Sequence, residues 1–167
     1  DVHTRTNIEI KQELKKVGTY SLPIISSPMD TITGEAMAMA MNESGGTAIL
    51  HRYNNIDEQS RMVMNLTSKG LSIGAAIGIG DDCIERALAL TRAGVTFLCI
   101  DVAHGHHSKV QKALKELRHV IGEEMHIMAG NVATLEAFND LADWGADSIR
   151  VGIGGGSICS TRIQTGH

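Results

Sequence analysis

Six short apolar runs, each followed by a stretch of helical periodicity, restrict this chain to very few architectures. The runs are LPIIS (22–26), TAIL (47–50), SIGAAI (72–77), TFLCI (96–100), HIMAG (126–130) and DSIRVG (147–152). They are mostly continuous rather than alternating, and several are bounded by glycine. Parallel strands buried on both faces read this way. Between them, Val110, Leu114, Leu117 and Ile121 fall on one helical face, and Ile84, Ala87, Leu88 and Thr91 repeat the spacing. Leu135, Phe138 and Ala142 are expected to form the packed face of a further helix, with Thr134 as its N-cap. Gly45, Gly94 and Gly145 stand just before a strand, where a helix ends. A βα unit recurring every ~20 to 30 residues is the architecture. The pattern alone admits a doubly wound sheet or a (β/α)8 barrel. A barrel needs eight strands and about 250 residues, so on that reading these 167 residues supply about six βα units.

Composition narrows the partners. The net charge is −4 and the basic residues form no single run, which argues against nucleic acid or an acidic membrane surface. Aromatics are 3%, too few for base-stacking platforms. No apolar run approaches the ~18 residues of a membrane span, and the first residues, DVHTRTNIEIKQELKK, are polar. Cys83, Cys99 and Cys159 are odd in number and far apart, which fits a reducing, cytoplasmic setting better than a disulfide framework.

Polar and glycine residues gather after the strands, in SSPMD, HRY, GIGDD, DVAHGHH, GNVAT and GIGGGSICSTR, whereas the helix-to-strand connections are plainer. That asymmetry is expected of an α/β enzyme with one active face. In the last loop, Gly152, Gly154, Gly155 and Gly156 let backbone groups approach a ligand. The string fits neither a dinucleotide fingerprint nor a Walker A loop, and its composition leaves phosphate cradle, cation loop and linker open. Cys159 has hydroxyl neighbours and Arg162 nearby, which favour a thiolate, although a lone loop cysteine is more often inert. Cys99 lies in an apolar run and Cys83 opens a helix, so both read as structural. Asp101 ends the fourth run, where its carboxylate would face a barrel mouth or cap the strand. HGHH (104–107) matches no familiar zinc spacing. Met37 and Met41 share a helix face and read as core packing.

SSPMDTIT, DVAHGH, MAGNVAT and VGIGGGSICSTR, in this order, resemble the IMP dehydrogenase / GMP reductase family over essentially the whole chain. The resemblance implies a (β/α)8 barrel, with residues 1–167 as a partial catalytic barrel. Cys159 resembles the nucleophile that attacks C2 of the purine, and Thr161 the hydroxyl that assists the later step. Gly154, Gly156 and Cys159 match the backbone carbonyls that hold a monovalent cation, usually potassium. Ser157 matches a phosphate ligand, Ser27 and Met29 residues that contact the nucleotide, and Arg150 a basic residue near it. Asp101 and Asn131 resemble polar groups near the ribose and the nicotinamide cofactor. Gly155 departs from the family, which often has Pro or Ser there.

The resemblance also implies two further strands after His167, with an aspartate for the ribose, a second phosphate loop and a flap. Only about twenty residues separate LHRY from SIGAA, so the CBS regulatory pair that many dehydrogenases of the family insert there is not expected. GAAIG and DVAHGH lean toward an NAD-dependent dehydrogenase making xanthosine monophosphate from IMP, a homotetramer in the family. IMAGNV and CIDV lean toward an NADPH-dependent GMP reductase. A reading from another class is a catalytically inactive partial barrel that acts as a binding partner.

Overall fold

A computed structural model describes residues 8–166. The polar residues 1–7 and His167 lie outside the described residues. Six parallel strands form one sheet in sequential order: β3 (Ile25–Ser26), β4 (Thr47–Leu50), β5 (Gly74–Ile77), β6 (Phe97–Asp101), β7 (His126–Val132) and β8 (Ser148–Val151). Helices α1 (Glu35–Glu43), α2 (Ile56–Thr67), α3 (Cys83–Arg92), α4 (Ser108–Ile121) and α5 (Leu135–Asp143) connect them, and a short α6 (Thr161–Thr165) follows β8. The sheet curls into a half-barrel, so the barrel reading holds.

Alternation along each strand sorts the core into two sides. Ala48, Leu50, Ala75, Ile77, Leu98, Ile100, Ile127 and Ala129 pack under the helices. Ile49, Ala76, Phe97, Cys99 and Met128 pack together on the concave side. Gly74 must lack a side chain, because a Cβ there would lie 2.3 Å from the Phe97 ring. Each fully buried Leu, Ile or Phe contributes roughly 1.5–3 kcal/mol relative to exposure.

Thr134 caps α5 as expected, and Asn55 caps α2 in the same way. The Thr134 side chain accepts from the Ala137 N–H at 3.2 Å, and Asn55 does the same for Glu58 at 2.8 Å. Gly45, Gly94 and Gly145 have φ of 87°, 87° and 111°, the conformation that lets a helix stop and the chain turn into a strand. On α4, Val110, Leu114 and Leu117 are fully buried, as the spacing requires. On α5 the expected face is wrong. Ala137 and Leu141 are the buried pair, whereas Leu135 and Phe138 are 75% and 39% exposed and Ala142 is exposed too. Periodicity fixes the helix but not its rotation, and the strands of the neighbouring βα units select the narrower Ala–Leu stripe. Met37 is likewise 39% exposed, while Met41 packs against the core.

A hairpin that the sequence reading did not anticipate, β1 (Gln12–Leu14) and β2 (Gly18–Tyr20), covers the N-terminal end of the half-barrel. Its Leu14 and Val17 pack on the concave cluster. The buried His126 ring fastens it: Nδ1 donates to the Lys15 carbonyl at 2.6 Å and Nε2 accepts from the Ser148 hydroxyl at 2.8 Å. Burial lowers the His126 pKa, which keeps the ring neutral as this bonding requires. Beside it, Asp147 accepts from Lys16 at 2.7 Å, Arg118 at 2.5 Å and the Ile127 N–H at 3.0 Å. Arg118 also binds the carbonyls of Gly145, Gly122 and Met125.

Burial alone would raise the Asp147 pKa, but the Lys16, Ile127 and Arg118 hydrogen bonds hold it at about 2, below the ordinary 3.8. A depressed carboxylate stabilises the fold above its unfolded pKa and loses that contribution as pH falls through the folded one. Urea denaturation between pH 5 and 2 is therefore expected to show steep loss of stability below about pH 4. Asp147→Asn leaves Arg118 buried without its carboxylate. The expected cost is about 3 kcal/mol at neutral pH, with the acid dependence flattened.

Candidate active site

The C-terminal ends of the strands carry the polar loops, and pleat parity aims their last side chains into the mouth. Asp101 lies two residues beyond Cys99 on β6, on the concave side. Arg150 lies on that side of β8, because its neighbour Ile149 packs toward the helices. The two meet: Arg150 donates to the Asp101 carboxylate at 2.5 Å. Both are about three-quarters buried, with side chains 24% and 22% exposed. Asp101 is thus neither a lone carboxylate nor a strand cap.

The cleft above this pair measures about 370 Å³ and is lined by Arg52, Tyr53, Asp101, Val102, Ala103, Asn131, Arg150, Gly152, Ile153, Gly154 and Thr161. Its walls are tied across the strand ends. Asn131 donates through its side chain to the Gly152 carbonyl at 2.8 Å, and its backbone N–H donates to Val102 at 2.9 Å. Gly105 donates to the Asn131 carbonyl at 2.7 Å, and a Cβ on Gly105 would lie 2.8 Å from that oxygen, so the β6–α4 loop lies directly on the end of β7. Asp101 and Asn131 both line this polar cleft.

Arg52 and Tyr53 were not singled out in the sequence. Their signal was position alone: HRY directly follows β4. Arg52 donates to the Asp101 carbonyl at 3.3 Å, lies 5.6 Å from the Tyr53 ring centroid, and has a buried Nε with no partner. Gly78 makes room for it, since a Cβ there would approach the guanidinium to 3.2 Å.

The loop after β8 carries the thiol. Gly154 has φ of 60°, and a Cβ there would lie 2.6 Å from Arg162 Cγ and 3.0 Å from its backbone nitrogen. Glycine at 154 is therefore a packing requirement, not a sign of a linker. The loop turns back through the Cys159 N–H, which donates to the Gly156 carbonyl at 3.1 Å. Cys159 is exposed, with Sγ 3.1 Å from Thr161 Oγ1. That hydroxyl, the Thr161 backbone N–H and, more weakly, the Arg162 charge lower the thiol pKa. The hydroxyl neighbour expected to matter is thus Thr161, ahead of the charge. Cys83 and Cys99 are buried, and burial pushes their pKa values up to about 11 and about 12.

The remaining candidates are arranged less tightly. Ser27 lines a second cavity of about 250 Å³ on the concave side, which Arg150 also borders. Met29 and Ser157 are exposed and line neither space. Gly154, Gly156 and Cys159, whose backbone carbonyls the resemblance assigns to a cation, lie in the one loop after β8. His106 and His107 have other partners: His106 pairs with Asp140, and His107 Nδ1 accepts from the Lys109 N–H at 3.0 Å to cap α4.

Iodoacetamide is expected to label Cys159 in the native protein and to spare Cys83 and Cys99. Thr161→Val removes the bond that favours the thiolate, so the pH–rate midpoint of labelling moves upward. Labelling slows at neutral pH, and the two rates converge well above the ordinary thiol pKa. Mass spectrometry of timed labelling checks both.

Comparison with known proteins gives the family. The family model described as IMP dehydrogenase / GMP reductase domain matches residues 1–167. Inosine-5'-monophosphate dehydrogenase of Cryptosporidium parvum is 34% identical over 202 aligned positions, covering 95% of this chain and 50% of that protein. The enzyme of the same name from Borreliella burgdorferi is 30% identical over 212 positions, covering 96% and 52%. A GMP reductase of Streptococcus agalactiae is 34% identical over 148 positions, covering 89% and 45%. The chain spans about half the length of the curated relatives it matches. The chain belongs to the IMP dehydrogenase / GMP reductase family, a family of oxidoreductases.

Proposed function

We propose that this chain carries the covalent-catalysis site of an IMP dehydrogenase, oxidising IMP to xanthosine monophosphate with NAD. The observation that supports it most is the exposed Cys159 thiol, whose pKa is lowered by its partner Thr161, a residue that lines the Asp101–Arg150 cleft. The Cys159 thiolate adds to the electron-poor C2 of the purine, forming a C–S bond, and the C2 hydrogen leaves with its electron pair. NAD supplies the acceptor for that hydride. Water then adds at C2 and the C–S bond breaks, which restores the thiolate and releases one proton. Thr161 Oγ1, 3.1 Å from Sγ, is placed to hold and pass that proton. Asp101, fixed by Arg150, and Asn131, fixed by Gly152, orient polar groups in the cleft. Ser27, Met29, Arg150 and Ser157 contact the nucleotide on this reading, with Ser157 on its phosphate. The carbonyls of Gly154, Gly156 and Cys159 would hold potassium and keep the cysteine loop in shape.

The dehydrogenase reading is supported by the longer matched span, 95% and 96% of the chain against 89% for the reductase. A GMP reductase, converting GMP with NADPH to IMP and ammonia, is the second reading. It is favoured by alignment length. The dehydrogenase alignments run to 202 and 212 positions, more than this chain's 167 residues, so those relatives carry segments it lacks. The reductase alignment, at 148 positions over 89% of the chain, pairs residues almost one to one. On either reading the protein works in purine nucleotide metabolism in the cytoplasm, as a homotetramer.

The test is to supply the full-length protein with IMP and NAD and, separately, GMP and NADPH, and to follow nicotinamide absorbance. IMP-dependent NADH formation is the expected result. GMP-dependent NADPH loss transfers the assignment to the reductase, and silence from folded protein overturns both. Cys159→Ala should lower turnover by about a thousandfold or more while nucleotide binding persists.

A further inference from the structure

The loop that joins β6 to α4 forms one wall of the cleft, through Val102 and Ala103. Three backbone hydrogen bonds hold it to β7: Val102 N–H to the Gly130 carbonyl at 3.1 Å, Asn131 N–H to the Val102 carbonyl at 2.9 Å and Gly105 N–H to the Asn131 carbonyl at 2.7 Å. These bonds join backbone to backbone at the end of β7. His106 adds a side-chain tie from this loop to α5, outside the cleft. The His106 Nε2 is 2.8 Å from Asp140 Oδ2 on α5, and its ring stacks on Trp144, with centroids 5.7 Å apart and planes 23° from parallel. A planar ring clamped on one edge by a carboxylate and on one face by an indole has a single orientation. That orientation fixes where Ala103 and Gly105 can lie.

This clamp lies outside the chemistry already assigned. His106 is not among the residues that line the cleft, and Asp140 and Trp144 belong to the outer layer of helices. The pair is half-exposed, with side chains 33% and 41% accessible, so it adds little to the core. Nothing in the packing of α5 requires a histidine here, since Ala137 and Leu141 seat that helix.

We propose that His106, clamped by Asp140 and Trp144, is a positioning residue that sets the β6–α4 wall of the cleft for the dinucleotide, separately from the Cys159 thiol. The proposal rests on the reading that a nicotinamide dinucleotide occupies this cleft. It predicts a division of effects. Loosening the wall weakens dinucleotide binding, while the thiol on the loop after β8 keeps its own partner, Thr161.

The experiment compares His106→Ala, Asp140→Ala and the double variant in the full-length protein. Each single variant is expected to raise the dinucleotide KM about tenfold, the loss of one charge-assisted hydrogen bond with its stacking. The double variant should do no worse than either single one, because both remove the same clamp. The turnover rate at saturating dinucleotide and the iodoacetamide labelling rate of Cys159 should stay within about twofold of wild type. His106→Gln, which keeps a donor toward Asp140, should recover part of the KM. An unchanged KM in folded His106→Ala, additive losses in the double variant, or a parallel fall in Cys159 labelling overturns the proposal. Amide hydrogen exchange separates its failure from that of the functional reading. If wild type turns over neither pair of substrates, faster exchange at Val102 and Gly105 in His106→Ala still supports the clamp, and unchanged exchange there overturns it.

Discussion

The alternation of side chains along six parallel strands is the constraint from which the rest of this molecule follows. Every second residue of β4 to β6, and of β7 as far as Ala129, goes under the helices and the others go to the concave side; a register shift at Gly130–Val132 interrupts the alternation. A slip of one residue would exchange the two sets and place Asp101 and Arg150 under helices. Register is held at the bottom of the half-barrel by a dense polar knot. Asp147 joins Lys16 of the hairpin to Arg118 of α4, and His126 joins Lys15 to Ser148. These groups are buried and mutually satisfied, so their value lies in specifying one arrangement as much as in added stability.

Stability and chemistry therefore occupy opposite ends of the same strands. At the N-terminal end the bonds are closed and shielded. At the C-terminal end they join neighbouring loops across the mouth: Arg150 to Asp101, Asn131 to Gly152 and Val102, Arg52 to the Asp101 carbonyl. Each tie crosses from one βα unit to another, so no single unit could form the cleft alone. The thiol loop is different. Its geometry is local, with Cys159 turned back onto Gly156 and partnered by Thr161, two residues away.

That contrast explains what could be read in advance. The strands stand out because a doubly buried strand needs a continuous apolar run, and the run TAIL coincides with β4. Helix ends were legible because caps are local: Thr134, Gly45, Gly94 and Gly145 act within a turn of themselves. The Cys159–Thr161 pair was legible for the same reason. The rotation of α5 was not, because Leu135, Phe138 and Ala142 satisfy helical spacing as well as Ala137 and Leu141 do. The β1–β2 hairpin was hidden because QEL and GTY are too short and polar to stand out, and the bond from its turn residue Lys15 goes to His126, more than a hundred residues away in sequence. Arg52 escaped notice because an arginine after a strand is ordinary until its Nε is found buried without a partner.

The sequence by itself determined the βα repeat, the glycine and cap positions, and the family to which VGIGGGSICSTR belongs, since each depends on contacts within a few residues or on a contiguous string. Tertiary structure alone decided that Asp101 meets Arg150, that Asn131 closes on Gly152, that His106 is clamped by Asp140 and Trp144, and which face of α5 is buried. The reason is that pairings between distant segments depend on strand register and curvature, which arise from the whole sheet and have no signature in any one stretch of the chain.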